Sequence, residues 1–219
     1  MKEKLTKLYS SKLNAFKLIR DTFPNDDLAG PFLMSPNILY GKQKNKLMII
    51  GQQTKGWSYD HKNINNQLEA YEEFNVGENY YASPFWNITR KLEKTLGNDM
   101  LSCAWTNLNK FDLDEDRPYG EYEKAIAELD SILIDEIDIL KPNICMFYTG
   151  PDFDNRLKDI FTGLNFIEID GWNIRQFCKL GHEKLPENSY RSYHPKSLRI
   201  QHLEERFISQ MRNFHLYKI

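Results

Sequence analysis

The chain has 219 residues, 41% of them hydrophobic and 27% charged, and a net charge of −2. That length suits one domain with a sizeable core, and the composition is globular rather than disordered. Apolar runs of only a few residues exclude a membrane-spanning helix, and the near-neutral balance argues against a broad surface that coats nucleic acid by charge alone.

The start, MKEKLTKLYSSKLNAF, is charged and periodic and has no apolar signal core, so the expected location is the cytoplasm. Leu5, Leu8, Leu13, Phe16 and Ile19 recur at helical spacing and predict one amphipathic helix. FPNDDLAGPFLMSPN reads as an irregular loop. Leu47 to Ile50 predict a buried strand, and NINNQLEAYEEF a short helix. SPFWNITRKLEKTLG predicts a helix with Ser83 as N-cap, Pro84 in the first turn and Gly97 closing the end. LSCAWTNL reads as a strand and NKFDLDEDRPYG as a loop. Residues 121–140 carry one apolar face from Tyr122 to Leu140 and predict a single helix stopped by Pro142. NICMFYTG and NFIEID read as strands, with DFDNRLKDIF a helix between them, and SLRIQHLEERFISQMRNF is the last helix.

Four strands alternating with helices predict a three-layer α/β/α sandwich on a central, mainly parallel four-stranded sheet. Residues 1–219 read as one domain, with 1–45 an N-terminal helical extension and loop. Cys103, Cys145 and Cys178 are an odd number without metal-ligand spacing, and Cys103 and Cys145 sit in apolar runs as buried small hydrophobes. No phosphate loop, dinucleotide fingerprint, histidine pair or nucleophile elbow is present, and neither metal nor cofactor is expected.

Ligands of parallel sheets sit beyond the carboxyl ends of the strands. GQQTKGW follows the first strand, AWTNLNKF ends another, and SPFWNITRKLEK and SYHPKSLR open helices. In this order the four segments resemble the uracil-DNA glycosylase superfamily. The matches are Gly51 and Gln52; Asn87, Ile88 and Leu92; Asn107; and His194, Pro195 and Leu198, spread over residues 46–200.

The resemblance implies a DNA N-glycosylase acting on uracil or another deaminated base, with DNA or a nucleotide as partner; the sequence does not fix the oligomeric state, a monomer being favoured. It implies that Asn107 and Gln52 bind the base, His194 stabilises the departing anion, and Gln53 stands at the catalytic position. An aromatic ring should stack on the base, with Phe74, Tyr80 and Tyr81 as candidates. Lys55, Ser83, Lys196, Ser197, Leu198 and Arg199 would meet DNA, Leu198 as an apolar wedge and Arg191 adding local charge.

Gln53 is also the chief departure, because the family has a water-activating aspartate there. Thr54, Lys55 and Gly56 replace the Pro-Tyr-His that follows, the paired prolines before the Asn87 helix are missing, and Asp60 and His61 are the nearest substitutes in sequence. A glutamine cannot take a proton at neutral pH, so a binding protein for a nucleotide or single-stranded nucleic acid is the alternative reading. The acidic run Asp112 to Arg117 weighs against a nearby DNA backbone. Each residue also has an ordinary reading: Asn107 as a loop cap, His194 as a turn residue, and Trp57, Trp86, Trp105 and Trp172 as packing.

Overall fold

The computed structural model describes residues 1–24, 26–58 and 63–216, with Leu216 described by its backbone alone; Asp60 and His61 lie outside the described residues. Helices α1 (Lys2–Ser11) and α2 (Leu13–Thr22) stand where the periodicity predicted one. Lys12 alone leaves the helical region at their joint, a break too short for a periodicity to register. The following loop holds β1 (Leu28–Ala29) and a buried run through Met34, then α3 (Ile38–Lys42).

The fully buried β2 (Leu47–Gly51) leads to α4 (Ile64–Phe74), whose N-cap Asn63 accepts from the amides of Asn65 and Asn66. α5 (Pro84–Thr95) begins and ends as its sequence predicts, except that the Ser83 side chain makes no capping hydrogen bond. β3 (Ala104–Asn107) follows. Its entry is fixed by the buried Glu93 of α5, which accepts from the backbone amides of Leu101, Ser102 and Cys103. β4 (Asp112–Leu113) pairs antiparallel with β1.

The helix expected over 121–140 is two, α6 (Glu121–Ala127) and α7 (Ser131–Leu140). Between them the amides of Glu128, Leu129 and Asp130 each bond the carbonyl three residues back, so the chain tightens to a 3₁₀ turn while the apolar face continues. β5 (Ile144–Phe147), α8 (Asp154–Ile160) and β6 (Asn165–Ile167) come next. Two strands unforeseen from sequence, β7 (Phe177–Gly181) and β8 (Asn188–Ser192), precede α9 (Pro195–Ile200) and α10 (Glu204–Leu216). The expected single last helix breaks at His202, which sits at φ +56°.

The central sheet therefore has six strands, not four, in the order β3-β2-β5-β8-β7-β6. β3, β2, β5 and β8 are mutually parallel, and β7 and β6 extend the sheet antiparallel beyond β8. Helices α5, α9 and α10 pack on one another, and α1 packs on both α4 and α7. The three cysteines are buried and free. No helix among the described residues is long and apolar enough to cross a membrane.

A buried ion pair anchors the edge strand. Lys110 Nζ lies 2.8 Å from Glu136 Oε1 and donates to Thr106 Oγ1 at 2.6 Å, while the Tyr9 hydroxyl and Thr106 donate to the same carboxylate. The ammonium's three protons and both carboxylate oxygens are thus engaged, which a buried pair requires. Burial pushes the Lys110 ammonium below its ordinary pKa.

Candidate functional site

Because four strands run parallel, their carboxyl ends share one rim. Backbone bonds carry the sheet a step past the strand ends. Leu108 and Asn109 amides bond the Gly51 and Gln52 carbonyls, Tyr148 bonds Ile50, and Gly150 bonds Ser192. Four loops are thereby brought together: Gln52 to Trp57, Leu108 to Lys110, Tyr148 to Gly150, and Tyr193 to Pro195.

Gly51 is dictated by its neighbour. It pairs with Asn107 in register, and a Cβ there would collide with Asn107 Oδ1. The Asn107 carboxamide therefore lies across the β2 backbone. Trp105 Nε1 donates to Asn107 Oδ1 at 3.1 Å, and an indole nitrogen can only donate, so the amide orientation is fixed and Nδ2 is left without a partner. Asn107 is 1% exposed.

After Gly51 the two glutamines separate. Gln52 Nε2 donates to the Thr149 carbonyl at 2.7 Å, tying the β2 loop to the β5 loop. Gln53 Oε1 is buried and unpaired. The loop beyond is clamped by Asp112, which accepts from Thr54 Oγ1 and from the amides of Gly56 and Trp57. The first carboxylate of the acidic run is thus fully buried and engaged internally, and burial raises its pKa. Asp114 and Glu115 of the same run remain exposed.

His194 caps α9: its Nδ1 accepts from the Lys196 amide at 3.2 Å. An accepting Nδ1 puts the proton of the neutral ring on Nε2. Burial, helped by the Lys196 charge, lowers the pKa to about 4, so the ring is neutral at pH 7.

The ring that joins these loops is Phe85, in the first turn of α5. Its centroid lies 5.9 Å from His194, 5.5 Å from Tyr148 and 6.0 Å from Trp105. Sequence reasoning missed Phe85; its one signal was a place in the segment SPFWNITRKLEK. Phe74 sits further back, among Trp57, Tyr80, Trp86 and Trp105. Tyr80 and Tyr81 are exposed. Trp86, Trp105 and Trp172 are buried, and Trp57 is half-buried.

Four of the buried side-chain polar atoms that lack a partner among the described residues fall on this rim: Gln53 Oε1, Asn107 Nδ2, Asn109 Nδ2 and Thr149 Oγ1. The Tyr148 hydroxyl instead reaches back beneath α5 to Thr89. Unpaired buried polar groups are costly, so such a concentration at a sheet's carboxyl rim marks a place where a ligand or water completes the set.

The residues expected to meet DNA are unevenly placed. Lys55 and Lys196 are exposed, and Ser83 and Ser197 half-buried. Leu198 is fully buried, so an apolar wedge there would require α9 to leave the core. Arg199 pairs with Glu204 and donates to Asn87 Oδ1, and the buried Arg191 pairs with Asp154. Two surface cavities, of about 210 and 350 Å³, lie elsewhere, the larger at the amino ends of the strands between Asn45, Asn143, Asn188 and Phe214. No group of three His, Cys, Asp or Glu among the described residues is placed to hold a metal ion. The sequence matches no protein-family model and no curated protein.

Proposed function

We propose that this protein holds a nucleobase at the carboxyl rim of its parallel strands and hydrolyses the N-glycosidic bond, as a divergent protein of the uracil-DNA glycosylase kind. The observation that carries the reading is the pairing of a buried, unpartnered Asn107 Nδ2 with a neutral His194 whose free Nε2 bears a proton. The two are linked through Trp105 and Phe85. On β3, Thr106 meets Glu136 of α7 and Trp105 meets Trp86 of α5, so α7 and α5 cover opposite faces of the sheet, which supports the three-layer sandwich that goes with it.

Asn107 Nδ2 donates to a ring carbonyl of the base, and its Oδ1 keeps one lone pair for a ring N–H. Phe85 offers the face on which the base stacks. The bond from sugar carbon to base nitrogen breaks with its electron pair leaving on the base, and His194 Nε2–H donates to the oxygen where that charge gathers. Water adds to the sugar carbon and releases a proton to solvent. Gln53 Oε1 orients this water without taking its proton, so turnover is slow. Phe85 must swing aside to admit the base, because the rim is closed over Asn107.

A uracil-containing single-stranded oligonucleotide incubated with the protein should acquire abasic sites. His194→Ala should abolish them, and Gln53→Asp should accelerate their appearance by about 10²-fold, the scale of a positioned general base. Binding without cleavage, lost in Asn107→Ala, would instead establish the binding role that the glutamine at 53 favours. Neither binding nor cleavage would refute both.

A further inference from the structure

A cavity of about 350 Å³ lies at the end of the sheet opposite the rim, where β5 and β8 begin. Ile144 and Asn188 are paired across these strands, and side-chain alternation puts Tyr190 on the same face as Asn188. That face is the one α10 covers, since Phe214 of α10 stacks on Tyr190 with centroids 5.3 Å apart and an interplanar angle of 10°. Leu96, at the end of α5, and Met211 of α10 complete the floor. Leu96, Ile144, Tyr190 and Met211 are all buried, so the floor is largely apolar.

The mouth is open and polar: Lys44 and Asn143 are exposed there, and His215 is half-buried. The Lys46 amide donates to Asn143 Oδ1, which leaves the Asn143 Nδ2 protons to donate elsewhere. Lys44 has no ion-pair partner among the described residues, and no Asp or Glu among them lines the cavity. Asn45 Nδ2 donates to the Leu96 carbonyl at 2.9 Å and the Asn98 amide to the Glu93 carbonyl, so protein donors offset the partial negative charge at the end of α5. Donors and an unmatched cation thus stand over an apolar floor, in a volume within the range of small-molecule sites, about 300–1,000 Å³. The complement is an apolar body that carries one anionic end.

We propose that this cavity binds a small organic acid, its carboxylate between Lys44, Asn143 and His215 and its apolar body over Ile144 and Met211. The site lies at the other end of the strands from the rim and is independent of the nucleobase reading. Both parts of the ligand are required. An anion without a body would leave water on the apolar floor, and a body without charge would leave Lys44 unmatched.

Methyl-labelled methionine in the full chain gives a local readout by NMR, with Met211→Leu identifying the Met211 resonance. Benzoate and hexanoate should move that resonance and leave Met34, whose amide bonds the Tyr9 hydroxyl of α1, in place. Acetate, which lacks the body, and benzyl alcohol, which lacks the charge, should bind at least about tenfold more weakly. Lys44→Met should weaken benzoate about tenfold, the loss of one charge-assisted hydrogen bond. Lys42→Met removes an exposed lysine of the same KQKNK run that does not line the cavity, and should change benzoate binding by less than about twofold. A Met211 methyl that stays still in both acids up to about 10 mM would overturn the site. Benzyl alcohol binding as tightly as benzoate, or equal losses in the two lysine variants, would overturn the carboxylate assignment. Acetate binding as tightly as hexanoate would overturn the role of the floor.

Discussion

Replacing Gly51 by Ala puts a methyl group where the Asn107 carboxamide lies. Three magnitudes decide the outcome. The backbone at Gly51 is not left-handed, so alanine fits it and should stabilise by about 0.4–1 kcal/mol through the unfolded chain. Against this, the new Cβ meets Asn107 Oδ1 at collision distance and Trp105 Nε1 at 3.4 Å. Overpacking of that kind costs about 1–3 kcal/mol, and displacing the amide forfeits the Trp105 hydrogen bond, about 1 kcal/mol more. The net expectation is a loss of about 1–3 kcal/mol together with loss of nucleobase binding. Gly41→Ala is the control, since its Cβ meets nothing within 4 Å. Urea denaturation of the two variants beside wild type reads the difference directly. If Gly51→Ala is as stable as Gly41→Ala, Asn107 is not held across β2 as described, and the orientation of its free amide is lost with it.

The His194 ring takes a proton near pH 6.5 when unfolded but only near 4 in the fold, so the folded state binds fewer protons between those values. Its contribution, on the order of 3 kcal/mol, is complete above pH 6.5 and disappears as pH falls toward 4; the stability difference between wild type and His194→Gln should shrink across that window in denaturation curves. Lys110→Met alone should cost about 3–5 kcal/mol by stranding Glu136, whereas Lys110→Met with Glu136→Leu should recover most of the loss; an equal cost for the double variant would show that the pair itself supplies the stability. Leu198→Ala should cost about 2–5 kcal/mol in thermal or chemical denaturation, and a change below 0.5 kcal/mol, the order seen for surface substitutions, would show that the side chain is at the surface after all.

What could be read from the sequence followed hydrophobic patterning. The buried run at Leu47 to Ile50 and the capped helix after Ser83 announced themselves, as did the stop at Pro142. β8 did not, because its sequence NSYRS is polar; it is interior to the sheet yet buries Ser189, Arg191 and Ser192, and Arg191 survives there by pairing with Asp154 and with the carbonyls of Ile174 and Arg175. A charge whose partner is 37 residues away leaves no local pattern. The same holds for the rim. Gly51, Asn107 and His194 stood out because each ends a strand or opens a helix. Phe85, Asn109 and Thr149 look like ordinary helix and loop residues until their tertiary neighbours are known.

The fate of the arginines sets how the rim behaves in salt. With Arg191 and Arg199 committed to Asp154 and Glu204, the exposed cations among the described residues of the rim loops after β2 and β8 are Lys55 and Lys196. Two phosphate contacts on a single strand displace few counterions, giving a slope of about −1.4 in log K against log salt. Affinity would then fall only about sevenfold between 50 and 200 mM. Were these two lysines its phosphate contacts, the rim would grip a nucleic-acid backbone weakly, and selectivity would have to come from the shape of what it encloses.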